Sequence, residues 1–207
     1  ETQSELNAIF KAKATIEQAP IYFADQLIND IYPTSLKGAY QIHNLRTVLQ
    51  TLSVLNSGAF TISSEATQNG LLKVSENTGL RGRWETLGAN PKIICDTAHN
   101  KEGLRLVFKQ IQTEKFQRLH LVLGMVNDKD VESLLELFPK AAQYYFCKPN
   151  VPRGLEAVEL AQVFKVNGFE GLVYSSVKTA LNAAKKSASQ EDLIYIGGST
   201  FVVAEII

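Results

Sequence analysis

Short apolar runs alternate with amphipathic stretches along the second part of the chain. Residues 92–96, 119–124, 143–148, 171–174 and 193–197 read as short strands. Between them, three-and-four spacing predicts helices near 103–112, 130–138, 155–167 and 177–187. Their expected inward faces are Leu104, Val107, Phe108 and Ile111; Val131, Leu134, Leu135 and Phe138; Val158, Ala161 and Phe164; and Val177, Ala180, Leu181 and Ala184. A strand followed by such a helix, repeated four times, predicts right-handed crossovers feeding a mostly parallel sheet with helices on both faces. The fold class is therefore α/β, with a compact domain over 77–207.

The earlier residues follow another rhythm. Leu6, Ile9, Phe10 and Lys13 have helical spacing, and Ile21 to Ala24 after Pro20 reads as a short strand. The segment 28–38, with Pro33, is strand or loop. Ile42, Leu45, Val48 or Leu49, Leu52 and Leu55 predict a longer helix that Gly58 ends. Ser63 or Ser64 caps a further short helix carrying Ala66, Leu71 and Val74. This is too little strand to complete a sheet, so residues 1–76 are expected to be the remainder of another domain.

Composition narrows the class. The 207 residues are 45% hydrophobic with a formal net charge of zero, which supports a packed core and gives no basic block for nucleic acid or an anionic membrane. No apolar run has membrane-spanning length and the start carries no signal-peptide pattern. Cys95 and Cys147 form no CxxC pair, which predicts buried thiols in a reducing, cytoplasmic setting. The chain opens on Glu1-Thr2-Gln3 without a methionine and is expected to be a piece of a longer protein.

Candidate chemistry gathers at predicted strand exits, where open α/β sheets bind ligands. Asp96-Thr97-Ala98-His99-Asn100 follows the first run: Asp96 can bond a ribose, His99 a phosphate, and Asn100 can bridge ligand and loop. Equally, Asp96 can cap the next turn while His99 satisfies local backbone. Gly79 to Glu85 holds Arg81 and Arg83 around Gly82, suited to phosphate oxygens or to a structural ion pair, and Trp84 reads as packing. Asp128 or Asp130 can cap the helix after the second run, while Lys129 can approach an anionic intermediate. Arg153 and Gly197-Gly198-Ser199 stand at further exits. Asn44, near Gln41 and His43, can read adenine. There is no GxxxxGK[ST] loop, no dinucleotide fingerprint and no nucleophile elbow. Histidines at 43, 99 and 120 make no convincing metal cluster, and His120 reads as structural.

Tyr40-Gln41 with Asn44, Gly82-Arg83, Asp96 to Asn100, Asp128-Lys129-Asp130, Pro152-Arg153 and Gly198-Ser199 together resemble, in order and spacing, the carboxyl-terminal half of bacterial folylpolyglutamate synthase/dihydrofolate synthase, within the Mur ligase superfamily. The resemblance implies a Rossmann-like Mur ligase C-terminal domain preceded by the tail of the central ATPase domain. It also implies ATP-dependent amide synthesis through an acyl phosphate, with ATP, L-glutamate and dihydropteroate or a reduced folate as substrates and no nucleic-acid or membrane partner. By the same resemblance Asn44 contacts adenine, Arg83 the phosphates, Asp96 the ribose and His99 the phosphate side. Arg83, His99 and Lys129 form the catalytic set, Asn100 joins the nucleotide contacts, and Arg153 and Ser199 lie on the glutamate side. The sequence departs from the family pattern in having Leu80-Arg81 before Gly82 and Thr97 within the Asp96 motif. The P-loop and magnesium ligands are expected in an upstream half, so this stretch alone is expected to be inactive, and the enzyme a monomer. A non-catalytic nucleotide- or carboxylate-binding module and a Mur-type amino-acid ligase are the alternatives.

Overall fold

The computed structural model describes residues 2–128 and 130–207. The expected catalytic Lys129 and the opening Glu1 lie outside the described residues. Two compact units emerge, one ending at Gly79 and one spanning Leu80–Ile207.

Among its described residues the first unit is helical: α1 Asn7–Ile16, α2 Ala24–Leu27, α3 Gln41–Asn56, α4 Ser64–Leu72 and α5 Val74–Thr78. Ser63 caps α4 by accepting the Ala66 amide at 3.0 Å. The strand expected at Ile21 to Ala24 does not form. Phe23 is extended, but no strand is described nearby to pair with it, and the chain turns into α2 instead. Leu45 is buried, whereas Ile42, Val48 and Leu55 of the α3 stripe stay exposed.

The second unit is a six-stranded sheet in the order β1-β2-β6-β3-β4-β5. Its strands are β1 Glu85–Ala89, β2 Lys92–Cys95, β3 Leu119–Leu123, β4 Gln143–Phe146, β5 Gly171–Val173 and β6 Leu193–Gly197. β1 runs antiparallel to β2, and all other pairs are parallel. Every parallel strand therefore ends on one side of the sheet.

The period of two along each strand sorts the core into two layers. Ile194 and Ile196 of β6, with Tyr145 of β4, face α8 Val177–Ser187 and α9 Thr200–Ala204. The intervening Tyr195, Tyr144 and Phe146 face α6 Lys101–Ile111 and α7 Ala157–Val166. There Phe108 lies 6.1 Å from Tyr195, and Phe164 lies 5.3 and 5.1 Å from Tyr144 and Phe146 between ring centres.

Three details depart from the pattern-based expectation. The helix after β3 is a 3₁₀ helix, Glu132–Leu137, although Val131, Leu134, Leu135 and Phe138 are all buried as anticipated. Asp130 opens it by accepting the Ser133 amide, and Pro139 follows its end. The inward face of α7 is Ala157, Leu160 and Phe164, with Val158 exposed, so the buried stripe is displaced from the expected Val158, Ala161 and Phe164. The antiparallel β1 and the short α9 complete the sheet and one layer without having stood out in the apolar pattern.

Candidate functional site

Asp96 directly follows β2 and is 2% exposed. Its Oδ2 accepts the Trp84 amide at 2.7 Å and its Oδ1 accepts the Ala98 amide at 2.8 Å. The Thr97 amide donates to the Gly82 carbonyl at 3.0 Å. The dipeptide Asp96-Thr97 thus bonds to both neighbours of Arg83 and also to the turn leading to His99.

The backbone beside Arg83 needs this support. Gly82 has φ +70°, and a Cβ there would lie 2.8 Å from Val203 Cγ1 and 2.9 Å from Thr97 Cγ2. Trp84 has φ +50°, a conformation side-chain-bearing residues seldom adopt. Glu85 takes Arg81 with one oxygen and the Gly82 amide with the other. The arginines therefore separate: Arg81 is spent in a local ion pair, while half-buried Arg83 makes no hydrogen bond or ion pair with any described residue.

His99 is exposed, and its Nδ1 lies 3.0 Å from the Thr97 carbonyl. A carbonyl only accepts, so Nδ1 carries the proton and Nε2 is the ring atom left for a ligand among the described residues. Asn100 caps α6 through Oδ1, which accepts the Gly103 amide at 2.8 Å. The turn thus does what the local reading required and still presents an imidazole at a strand exit.

The neighbouring exits are built as closely. Gly198, at φ +89° after β6, permits contact that a Cβ would block, at 2.6 Å from Leu123 Cδ1 and 2.7 Å from the Gly124 carbonyl. Ser199 is buried and caps α9, its Oγ accepting the Phe201 amide. Arg153 donates to Asp128 Oδ2 at 3.2 Å, and its guanidinium carbon sits 5.0 Å from the centre of the Phe201 ring. Backbone bonds from Asn127 to the Arg153 carbonyl and from Leu155 to the Met125 carbonyl join these two exits. Asn44 stands on α3 of the first unit, where its Nδ2 donates to Gln41 Oε1 at 2.9 Å.

A second polar network was visible in the sequence only as an isolated histidine. Buried His120 sits between Asp192 Oδ2 at 3.3 Å and the Tyr145 hydroxyl at 2.9 Å. The carboxylate only accepts, so Nε2 carries the proton and, in the neutral ring, Tyr145 donates to Nδ1. His120 belongs to this network as structure. A cavity of about 700 Å³ near the starts of β3, β4 and β5, lined by Arg118, Lys140, Gln143 and Glu170, lies on the opposite side of the sheet from Asp96.

Among the described residues no group of three or more His, Cys, Asp or Glu could hold a metal ion. At these exits Asp96 accepts two backbone amides and Asp128 accepts an Arg153 N–H. No helix among them is long and apolar enough to cross a membrane.

Residues 82–200 match the family described as Mur ligase, glutamate ligase domain. The chain is 32% identical over 171 residues to a protein of Haloferax volcanii named "Probable bifunctional folylpolyglutamate synthase/dihydropteroate synthase", covering 82% of this chain and 20% of that one. It is 27% identical over 157 residues to the dihydrofolate synthase/folylpolyglutamate synthase of Escherichia coli, covering 75% of this chain and 35% of that protein. The crystal structure of the Yersinia pestis bifunctional folylpolyglutamate synthase/dihydrofolate synthase complexed with AMPPNP and Mn ion aligns with a TM-score of 0.64 at 28% identity, covering 78% and 38% of the two chains. The chain thus spans well under half the length of each of these relatives.

Proposed function

The chain belongs to the Mur ligase family through its glutamate ligase domain, and on that premise we propose that it is the carboxyl-terminal part of a monomeric, cytoplasmic ligase that uses ATP to add L-glutamate to dihydropteroate or a reduced folate. The chemistry is amide formation through an acyl phosphate. The substrate carboxylate takes the terminal phosphoryl group of ATP, and the glutamate amine then displaces phosphate from the acyl carbon.

The observation that carries the reading is Arg83, a half-buried guanidinium with no described partner, held at both neighbouring residues against the turn that presents His99. Such a pair suits a phosphate chain: the guanidinium offers a planar donor fork, and the imidazole, with Nδ1–H held by the Thr97 carbonyl, donates to a phosphate oxygen from Nε2 in its imidazolium form. A donor aimed at charge developing on a transferring phosphoryl group is worth roughly 3 kcal/mol, about a hundredfold in rate.

The other residues take supporting parts. Asn44 reads adenine from the first unit, which we take, as residues 1–76, to be the tail of the ATP-binding domain, with 77–207 as the glutamate ligase domain. Asn100 keeps its Nδ2 for the nucleotide while Oδ1 caps α6. Arg153 receives a carboxylate of glutamate in exchange for Asp128, and buried Ser199 shapes the adjoining exit. Lys129 stands between these exits in sequence and supplies a further cation to the phosphorylated intermediate. Magnesium, which when bound neutralises phosphate charge, takes its ligands outside the described residues. The two buried, free thiols suit a reducing compartment.

The test is ADP release that requires both L-glutamate and a pteroate acceptor, measured on a polypeptide joining this chain to a P-loop half. Arg83→Ala is expected to lower it about a hundredfold or more, and the 207-residue chain alone to release none. Unchanged turnover in Arg83→Ala, or turnover by the chain alone, would overturn the proposal.

A further inference from the structure

We propose that the cavity at the starts of β3, β4 and β5 binds an acidic α-amino acid, with Glu170 taking the ammonium and Arg118 and Lys140 the two carboxylates. The site lies at the opposite end of the sheet from the strand exits, and the inference does not rest on the reading of Arg83 and His99.

The cavity is about 700 Å³, and its polar groups come from the feet of three strands. Arg118 directly precedes β3, Gln143 opens β4 and Glu170 directly precedes β5. These strands are parallel neighbours in the sheet. Two strand spacings, roughly 10 Å, therefore separate Arg118 from Glu170 across the sheet. Neither of these side chains makes a hydrogen bond or ion pair with any described residue, and the Gln143 side-chain amide makes none either. The cavity thus holds a positive and a negative pole that do not cancel one another.

Both poles are fixed by what surrounds them. The Arg118 amide donates to Asp192 Oδ1 at 3.0 Å and the Leu193 amide donates to the Arg118 carbonyl at 3.0 Å, tying the foot of β3 to β6. Asp192 is itself buried and bonded to His120. At the other pole, Lys140 Nζ donates to the Asn167 carbonyl at 3.2 Å and lies 5.4 Å from the centre of the Phe169 ring. That bond uses one of three ammonium protons, so Lys140 keeps donors for a ligand. Helix α7 ends at Val166, and the partial negative charge of its carboxyl end adds to Glu170 in favouring a bound ammonium. Leu119, Ala142 and Leu172 supply apolar wall for methylene groups.

The charges select the class of ligand. Two cations and one carboxylate mirror a molecule with two carboxylates and one ammonium. A dianion without the ammonium would set negative charge against Glu170, and like-charge juxtaposition costs affinity.

The probe is L-glutamate, titrated into the 207-residue chain and followed by amide chemical shifts. Saturating changes are expected at Leu119, Gln143, Gly168 and Gly171, with a Kd of about 1 mM. Arg118→Ala should weaken binding about tenfold, whereas Arg153→Ala, at the other end of the sheet, should leave these changes as they are. Glutarate, the same dicarboxylate without the ammonium, should bind about tenfold more weakly than L-glutamate, and Glu170→Gln should abolish that preference. Arg118 and Glu170 are exposed, so both variants should unfold at the wild-type temperature. No saturating change at the cavity amides up to about 50 mM would overturn the proposal. So would equal affinity for glutarate and L-glutamate, which would make the cavity a cationic patch, or cavity changes that persist in full in Arg118→Ala.

Discussion

The backbone amide of Trp84 donates to Oδ2 of Asp96 at 2.7 Å, tying the loop before β1 to the turn after β2. Both residues are buried, and Arg83, next to Trp84 in the chain, is half-buried. A strained loop is thus held by a charged acceptor at the place where the sheet presents its strand ends.

Gly82→Ala should test how much that loop tolerates. A methyl group would meet Val203 Cγ1 and Thr97 Cγ2 at 2.8 and 2.9 Å in a backbone with φ +70°. A loss of about 2–3 kcal/mol is expected from the conformational cost plus overpacking. Urea unfolding measures it, and a loss below about 0.5 kcal/mol would mean the loop relaxes freely.

Arg81→Ala and Arg83→Ala should part company. Arg81 serves an ion pair with Glu85 that is largely exposed on the arginine side, so its removal should cost about 0–1 kcal/mol of stability. It should also leave phosphate binding unaltered. Arg83→Ala should leave stability within about 0.5 kcal/mol and weaken tripolyphosphate about tenfold. Calorimetry and thermal unfolding on the two variants make the comparison.

Asp192 should make the fold acid-sensitive. Burial alone would raise its carboxyl, but hydrogen bonds from Ser189, His120 and the Arg118 amide outweigh that and hold it below the usual aspartate range. A folded value below the unfolded one means the stabilisation is fully present above the unfolded value of about 4. It is lost as pH falls through the lower folded value. Asp192→Asn should lower stability at neutral pH and flatten its decline on acidification, followed by denaturant midpoints across pH.

The thiols should be silent in the native state. Burial pushes Cys95 up to about 12, assisted by the charges of Glu85 and Asp96, and burial likewise takes Cys147 to about 12 with help from Glu205. At pH 8 neither forms appreciable thiolate, so a disulfide reagent should titrate none in the folded chain and both after unfolding.

Much of the second unit was legible because its apolar runs are short, separated by turns and followed by stripes of helical period. Leu193 to Gly197 reads as a strand and forms one within the same bounds. β1 was less legible because Glu85, Thr86 and Gly88 carry no apolar alternation, and β2 supplies its ladder. The phase of α7 slipped because Val158 and Leu160 serve equally well in a pattern, and only packing beside Phe164 selects Leu160. At the site, residue types at strand exits could be read, but which arginine is spent could not: Arg81 and Arg83 differ only in their reach to Glu85. Asp192 stands 72 positions from His120, so their bond gave no local signal.

The most direct measurement is the mapping of amide chemical shifts of the 207-residue chain titrated with magnesium-ATP. The account predicts changes at Arg83, Trp84, Ala98 and His99, diminished in Arg83→Ala. Changes confined to the cavity near Arg118 and Lys140, or none up to millimolar nucleotide, would contradict a phosphate-gripping pair at the ends of the parallel strands.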